Sequence, residues 1–185
     1  MKKSKLNQAK EFAKKKHANQ KRKDGKTPYW KHLEDVVVLV KKLRIRDVDI
    51  LCAGWLHDTI EDTSTDYDDI YEKFGKKTAD IVASVTKDTR LPRKERERQY
   101  LIQLKKSSWQ AKTIKLCDII ANISDLKNSR YDFQKQVKQV KEKLEYLHVI
   151  KGEIISNRSK IPELTLLLGE LNLLLEKYDQ PKITF

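Results

Sequence analysis

The sequence predicts an all-α fold in a single domain. Three observations carry this. The 185 residues include only 5 glycines and 4 prolines, which leaves room for few tight turns. Apolar residues recur three and four apart in one segment after another, the spacing of a single helix face. The length suits one ordinary core, and no internal repeat or low-complexity linker divides it.

Residues 4 to 20 read as an amphipathic helix, with Leu6, Ala9, Phe12 and Ala13 as its stripe, Lys14 to Lys16 outward and His17 inward at its end. His17 reads as a structural histidine. Residues 20 to 29 form a loop, marked by Asp24-Gly25 and Thr27-Pro28. It carries Lys21, Arg22 and Lys23, either a solvated basic turn or a phosphate clamp. A second helix starts after Pro28 with Trp30, Leu33, Val36, Val37 and Val40 facing the core. His32 lies on it and needs a partner.

After a short connection at 44 to 48, one helix is expected from Asp47 to Glu61. Its apolar run ends in His57-Asp58-Thr59-Ile60-Glu61-Asp62. Helical spacing would stack His57 below Glu61 and Asp58 below Asp62. Ser64-Thr65-Asp66 reads as an N-cap region, Gly75 suits a helix end, and another helix covers 77 to 86. Residues 87 to 93 are a loop, and a cation-rich helix opens at Lys94, either a solvated face or a rim that meets an anion.

Ser107-Ser108 precede an apolar helix that contains Trp109, Ile114, Leu116, Cys117, Ile119, Ile120 and Ile123. Asp118 sits inside it, with Asn122 four residues later on the same face. A carboxylate there costs several kcal/mol unless it is paired or bound to metal. A long helix spans 131 to 151, with His148 on its surface. A leucine-rich helix, 163 to 178, is apolar on more than one face. It is expected to pack on two sides, the core on one and a second copy of the chain as the candidate for the other.

Composition narrows the function. Charged residues make up 36% and apolar residues 38%. No run nears the roughly 18 apolar residues of a membrane helix, and no apolar stretch follows Met1-Lys2-Lys3, so a cytoplasmic protein without a leader is expected. Cys52 and Cys117 lie in apolar runs and read as buried thiols. The net charge of +13 points to a polyanionic partner or to a solubilising lysine-rich surface.

His32, His57-Asp58 and Asp118 make a mixed nitrogen and oxygen donor set, which suits manganese, iron or zinc better than calcium. The order H…HD…D is that of the HD-domain phosphohydrolases. Arg22-Lys23-Asp24, Thr27-Pro28-Tyr29, His57-Asp58-Thr59-Ile60-Glu61-Asp62-Thr63, Lys115-Leu116-Cys117-Asp118 and Asn122 further resemble the hydrolase domain of the RelA/SpoT homologue family, of the small stand-alone type. The resemblance covers about residues 6 to 150. It implies an HD-type helical bundle over 1–155, with 156–185 as a C-terminal extension packed on the domain or on a second subunit.

It also implies an activity: hydrolysis of guanosine-3′,5′-bis(diphosphate), (p)ppGpp, to GDP or GTP and pyrophosphate. The cofactor would be Mn2+, with Fe2+ or Zn2+ as alternatives, held by His32, His57, Asp58 and Asp118. Glu61 and Asp62 would orient the attacking water and handle protons. Arg22, Lys23, Arg93 and Asn122 would meet the nucleotide. The chain departs from the family at Leu33, where proline is usual, and at Ile119-Ile120, where lysine and leucine are usual. The tyrosine usual in the late helix falls loosely on Lys143 or Tyr146. A phosphohydrolase acting on another phosphorylated nucleotide, such as NADPH, is the alternative reading. A non-catalytic nucleic-acid-binding bundle is the third, and it gives no reason for Asp118.

Overall fold

The computed structural model describes residues 3 to 184. Its elements are α1 (Lys5–Lys16), α2 (Trp30–Lys42), α3 (Val48–Leu56), α4 (Thr59–Asp62), α5 (Tyr67–Val85), α6 (Arg93–Lys106), α7 (Trp109–Asp125), α8 (Phe133–Ser156) and α9 (Leu164–Glu176), with short 3-10 turns at Leu126–Asn128 and Arg158–Lys160. The all-α expectation holds. The one β-like feature among the described residues is an isolated bridge between Lys21 and Pro28, which closes the basic loop.

Side-chain caps start several helices where polar residues precede the apolar runs. Ser4, Asp47 and Ser108 accept hydrogen bonds from first-turn N–H groups of α1, α3 and α7. Asp66 and Asp69 form a reciprocal capping box at α5. α7 is the central element. Twelve residues, Ala111 to Ile123 except Asn122, are buried, because α2, α5, α8 and α9 pack around it. Cys52 and Cys117 are free and buried, as expected.

Two boundaries differ from the sequence expectation. The helix predicted from Asp47 to Glu61 is interrupted after Leu56 and resumes at Thr59. Local bonds hold the break. Thr59 Oγ1 donates to the Leu56 carbonyl at 2.6 Å, and His57 Nδ1 lies 3.0 Å from the Gly54 carbonyl. The stacking of His57 under Glu61 on one continuous face is therefore corrected. The helices predicted on either side of Gly75 run together as α5, with Gly75 as a kink at φ 75° and ψ 164°.

That backbone region is essentially reserved for glycine. A Cβ at Gly75 would meet nothing within 4 Å, so any penalty comes from the backbone alone. Gly75→Ala is expected to cost about 1–3 kcal/mol, which calorimetric melting would register as a fall in Tm of roughly 2–10 °C. An unchanged Tm would show that the kink relaxes freely.

The C-terminal segment joins the same core. Leu164, Leu167, Leu171 and Leu175 of α9 are buried, and α9 packs against α7. Asn172 clasps the tail twice, donating to the Ile183 carbonyl at 3.1 Å and accepting from its N–H at 2.8 Å. Leu166 and Leu173 point outward, 53% and 62% exposed, so the second apolar face anticipated in the leucine-rich helix is present but sparse. Phe133, at the start of α8, is also largely exposed and stacks on Tyr178.

Candidate metal centre

Three packed elements bring the anomalous polar residues together. His32 comes from the first turn of α2, His57 and Asp58 from the break between α3 and α4, and Asp118 from the middle of α7. His32, His57 and Asp118 are all buried, and each offers a donor atom within 4.8 Å of the others. Asp58 joins them. His32 Nε2 lies 3.1 Å from Asp118 Oδ1 and 3.6 Å from Asp58 Oδ2. His57 Nε2 lies 3.1 Å from Asp58 Oδ2 and 3.7 Å from Asp118 Oδ1. Nitrogen and oxygen thus alternate around a ring of four atoms.

The close packing of α2 on α3 sets this spacing. Gly54 faces Val37 so tightly that an added Cβ would come within 2.9 Å of Val37 Cγ2. His57 Nδ1 lies against the Gly54 carbonyl, so a neutral His57 that donates there presents the Nε2 lone pair to an ion at the ring centre.

The ring fits a divalent cation. Although buried, His57 Nε2 and His32 Nε2, the two nitrogens that face the ring, make no well-directed hydrogen bond within the protein. Buried polar atoms seldom stay unsatisfied. Donors bound about 2.0–2.2 Å from a common ion lie roughly 3.0–3.5 Å apart, which matches the observed spacing. The electrostatics ask for positive charge at the same point. Burial opposes a charged His57 ring, but Asp58 and Asp118 outweigh it and lift its pKa to about 10. Burial likewise opposes an ionised Asp118, yet Lys115 and the two imidazoles hold it well below the usual carboxylate range. For His32 burial dominates and pushes the pKa down.

A supporting layer fixes these donors. Lys115 Nζ donates to Asp118 Oδ2 at 2.8 Å, and Asn122 Nδ2 donates to Asp118 Oδ1 at 2.5 Å. Tyr29 Oη donates to Asp58 Oδ2 at 2.6 Å, and the Tyr29 ring stacks on buried His17 with centroids 5.0 Å apart. His17 Nδ1 in turn lies 2.6 Å from Gln20 Oε1, and Gln20 Nε2 donates to the Asp62 carbonyl.

Beside the ring stand Glu61 and Asp62. Glu61 Oε2 accepts the Lys87 backbone N–H at 2.9 Å, which ties α4 to the loop after α5. Burial raises the pKa of Glu61, with Asp58 adding to the effect. Asp62 stands at the solvent edge, where partial burial of its carboxyl together with Asp58 and Glu61 pushes its pKa up to about 6.

The predicted nucleotide contacts are placed less uniformly. Lys23 and Asn122 line one narrow recess beside the ring, together with Gln139 and Lys143. Arg22 is buried, and its guanidinium pairs with Asp125 through Nε at 2.8 Å and through a second nitrogen at 2.5 Å. Its charge therefore locks the basic loop to the end of α7. Arg93 is 76% exposed at the start of α6, 3.4 Å from Glu142.

Tyr29, Lys87 and Lys115 gained no role from sequence reasoning. The signal for Lys115 was available: a lysine three residues before a buried aspartate, inside an apolar helix. Tyr29 and Lys87 reach the site by tertiary contacts, 29 residues from Asp58 and 26 from Glu61, and no periodicity reveals such pairs.

A helical bundle whose interior turns two imidazoles and two carboxylates toward one point is a bundle of the histidine–aspartate class with a candidate metal site. The HD domain model matches residues 9–145. A curated Danio rerio protein, guanosine-3′,5′-bis(diphosphate) 3′-pyrophosphohydrolase MESH1, is 44% identical over 117 residues, covering 62% of this chain and 65% of that protein. The Homo sapiens protein of the same name is 42% identical over 123 residues, covering 65% of this chain and 69% of that one. The matched stretch thus spans about two thirds of these relatives. A solved structure, described as a metazoan orthologue of SpoT that hydrolyses ppGpp, superposes with a TM-score of 0.74 at 30% identity, covering 96% of this chain and 97% of the other. The chain belongs to the HD-domain family, in its RelA/SpoT homologue branch.

Proposed function

We propose that the protein is a divalent-metal-dependent (p)ppGpp 3′-pyrophosphohydrolase. The observation that carries this reading is the ring of His32, His57, Asp58 and Asp118, whose buried imidazole nitrogens face the carboxylates without a well-directed hydrogen bond. The names of the relatives supply the substrate class. Those four residues would hold the ion. A divalent ion bound there, Mn2+ in our reading, polarises a phosphoryl oxygen and acidifies water.

The rest falls to the chain's own groups. Glu61, anchored by the Lys87 N–H, orients the attacking water and takes its proton, and Asp62 relays that proton toward solvent. Asn122 and Lys115 keep both oxygens of Asp118 in place. Lys23, Lys87 and Lys115 raise the local potential for a substrate with several negative charges.

Metal analysis joined to a ppGpp hydrolysis assay tests the proposal. Chelation should abolish pyrophosphate release and lower Tm, by roughly 5–10 °C for an ion present at about a hundred times its Kd. Mn2+ should restore both. Turnover that persists after complete metal removal would overturn the reading. Orthophosphate release from NADPH, without pyrophosphate from ppGpp, would favour the alternative phosphohydrolase.

A further inference from the structure

Lys87 is held at both ends. Its backbone N–H donates to Glu61 Oε2 at 2.9 Å. Its ammonium donates to Glu97 Oε1 at 2.8 Å, to Glu97 Oε2 at 3.1 Å and to Tyr146 Oη at 2.8 Å. Tyr146 Oη gives its own hydrogen to Glu97 Oε2, so acid, phenol and ammonium close a triangle between α6 and α8. The ammonium also lies over the rings of Tyr100 and Tyr146, 5.1 and 5.0 Å from their centroids. Burial opposes an ionised Glu97, but Lys87 and Tyr146 outweigh it and hold its pKa below the usual range.

The loop after α5 has little else to hold it. Of residues 87 to 91, only Lys87 hydrogen-bonds outside that stretch, among the described residues. Asp88 binds Arg90 and accepts the Leu91 N–H, bonds that stay within the turn. The residues just before Lys87 are gripped by the same helix. Tyr100 Oη donates to the Val85 carbonyl at 2.9 Å, and Gln103 Nε2 donates to the Thr86 carbonyl at 2.8 Å. Glu97, Tyr100 and Gln103, on successive turns of α6, thus fix Lys87, Val85 and Thr86. Glu61 therefore depends on α6 for its place, although no α6 group hydrogen-bonds to it. Pairing with a carboxylate weakens Lys87 as a site for anions and strengthens it as a strut.

We infer that Glu97 is a positioning residue for the hydrolysis: through the Lys87 strut, with Tyr146 as its second support, it aims the backbone N–H that holds Glu61 against the attacking water. This rests on the role given to Glu61 in the pyrophosphohydrolase reading.

Glu97→Gln tests the inference in the manganese-loaded protein. The amide keeps the volume and one acceptor but removes the charge that holds Lys87. kcat for ppGpp is expected to fall by about 10–100-fold, the cost of a small misplacement near the reacting atoms, with KM and metal content unchanged. Tyr146→Phe should act in the same direction by less. In a Glu61→Gln background the loss should vanish, because the group being aimed no longer serves as a base; a merely structural role would cost the same factor there. An equal loss in both backgrounds would overturn the inference. So would a lower KM with kcat intact, which assigns Lys87 to attracting the substrate. Hydrogen exchange of the Lys87 amide, followed by NMR without substrate, should quicken by about tenfold or more in Glu97→Gln, and an unchanged rate would also overturn the inference. If the wild-type protein fails to cleave ppGpp, the proposed activity falls, while the exchange rates still decide whether Glu97 positions Lys87.

Discussion

Asp118→Asn is expected to lose metal binding and turnover together. The variant removes a charged donor from the ring and leaves an amide of the same size. The loss should exceed the roughly 10–100-fold effect of disturbing an outer-shell partner, and we expect about 10³-fold or more in rate. A second effect follows from the neighbour. Lys115, with a side chain only 10% exposed, would be stranded without its carboxylate. Breaking a buried pair from one side costs about 3–5 kcal/mol. Adding Lys115→Met to Asp118→Asn should therefore recover much of the stability and none of the metal. Elemental analysis of the purified variants, paired with melting curves, measures both. Stoichiometric metal in Asp118→Asn would remove the basis of the site.

Glu61→Gln should separate what Asp118→Asn joins. The amide oxygen can still accept the Lys87 N–H, so the loop stays in place and the ring is untouched. Metal content should remain at the wild-type level while the rate falls by about 10²–10⁴-fold, the usual worth of a positioned general base. Asp62 adds a pH signature. Its carboxyl, with a pKa pushed up to about 6, is protonated below that pH and charged above it. If it relays the proton as a base, the rate falls as pH drops through about 6, and Asp62→Asn flattens that limb. A Glu61→Gln enzyme of full activity would assign the water to another group.

The parts of the site legible in the sequence were those whose residue types contradict their surroundings. Asp118 inside an apolar helix and His57-Asp58 at the end of another stand out because burial penalises them unless something binds them. The helices were legible from periodicity, and the start of α5 from capping chemistry around Asp66. The break at His57 was not, because the hydrogen bonds that hold it join residues suited to a continuing helix. Arg22 was read for its charge, but its environment depends on Asp125, 103 residues away. Lys143 stood out only as a loose counterpart of a family tyrosine. Only packing shows that it lacks the carboxylate its neighbours have.

Gly54 carries a consequence for how this bundle can vary. Its single hydrogen toward Val37 acts as a gauge between two helices, one bearing His32 and the other leading into His57. Any larger side chain would wedge the helices apart and widen the gap between the imidazoles. The grip on the ion is thus calibrated by the smallest residue in the chain, one that contributes no donor of its own side chain.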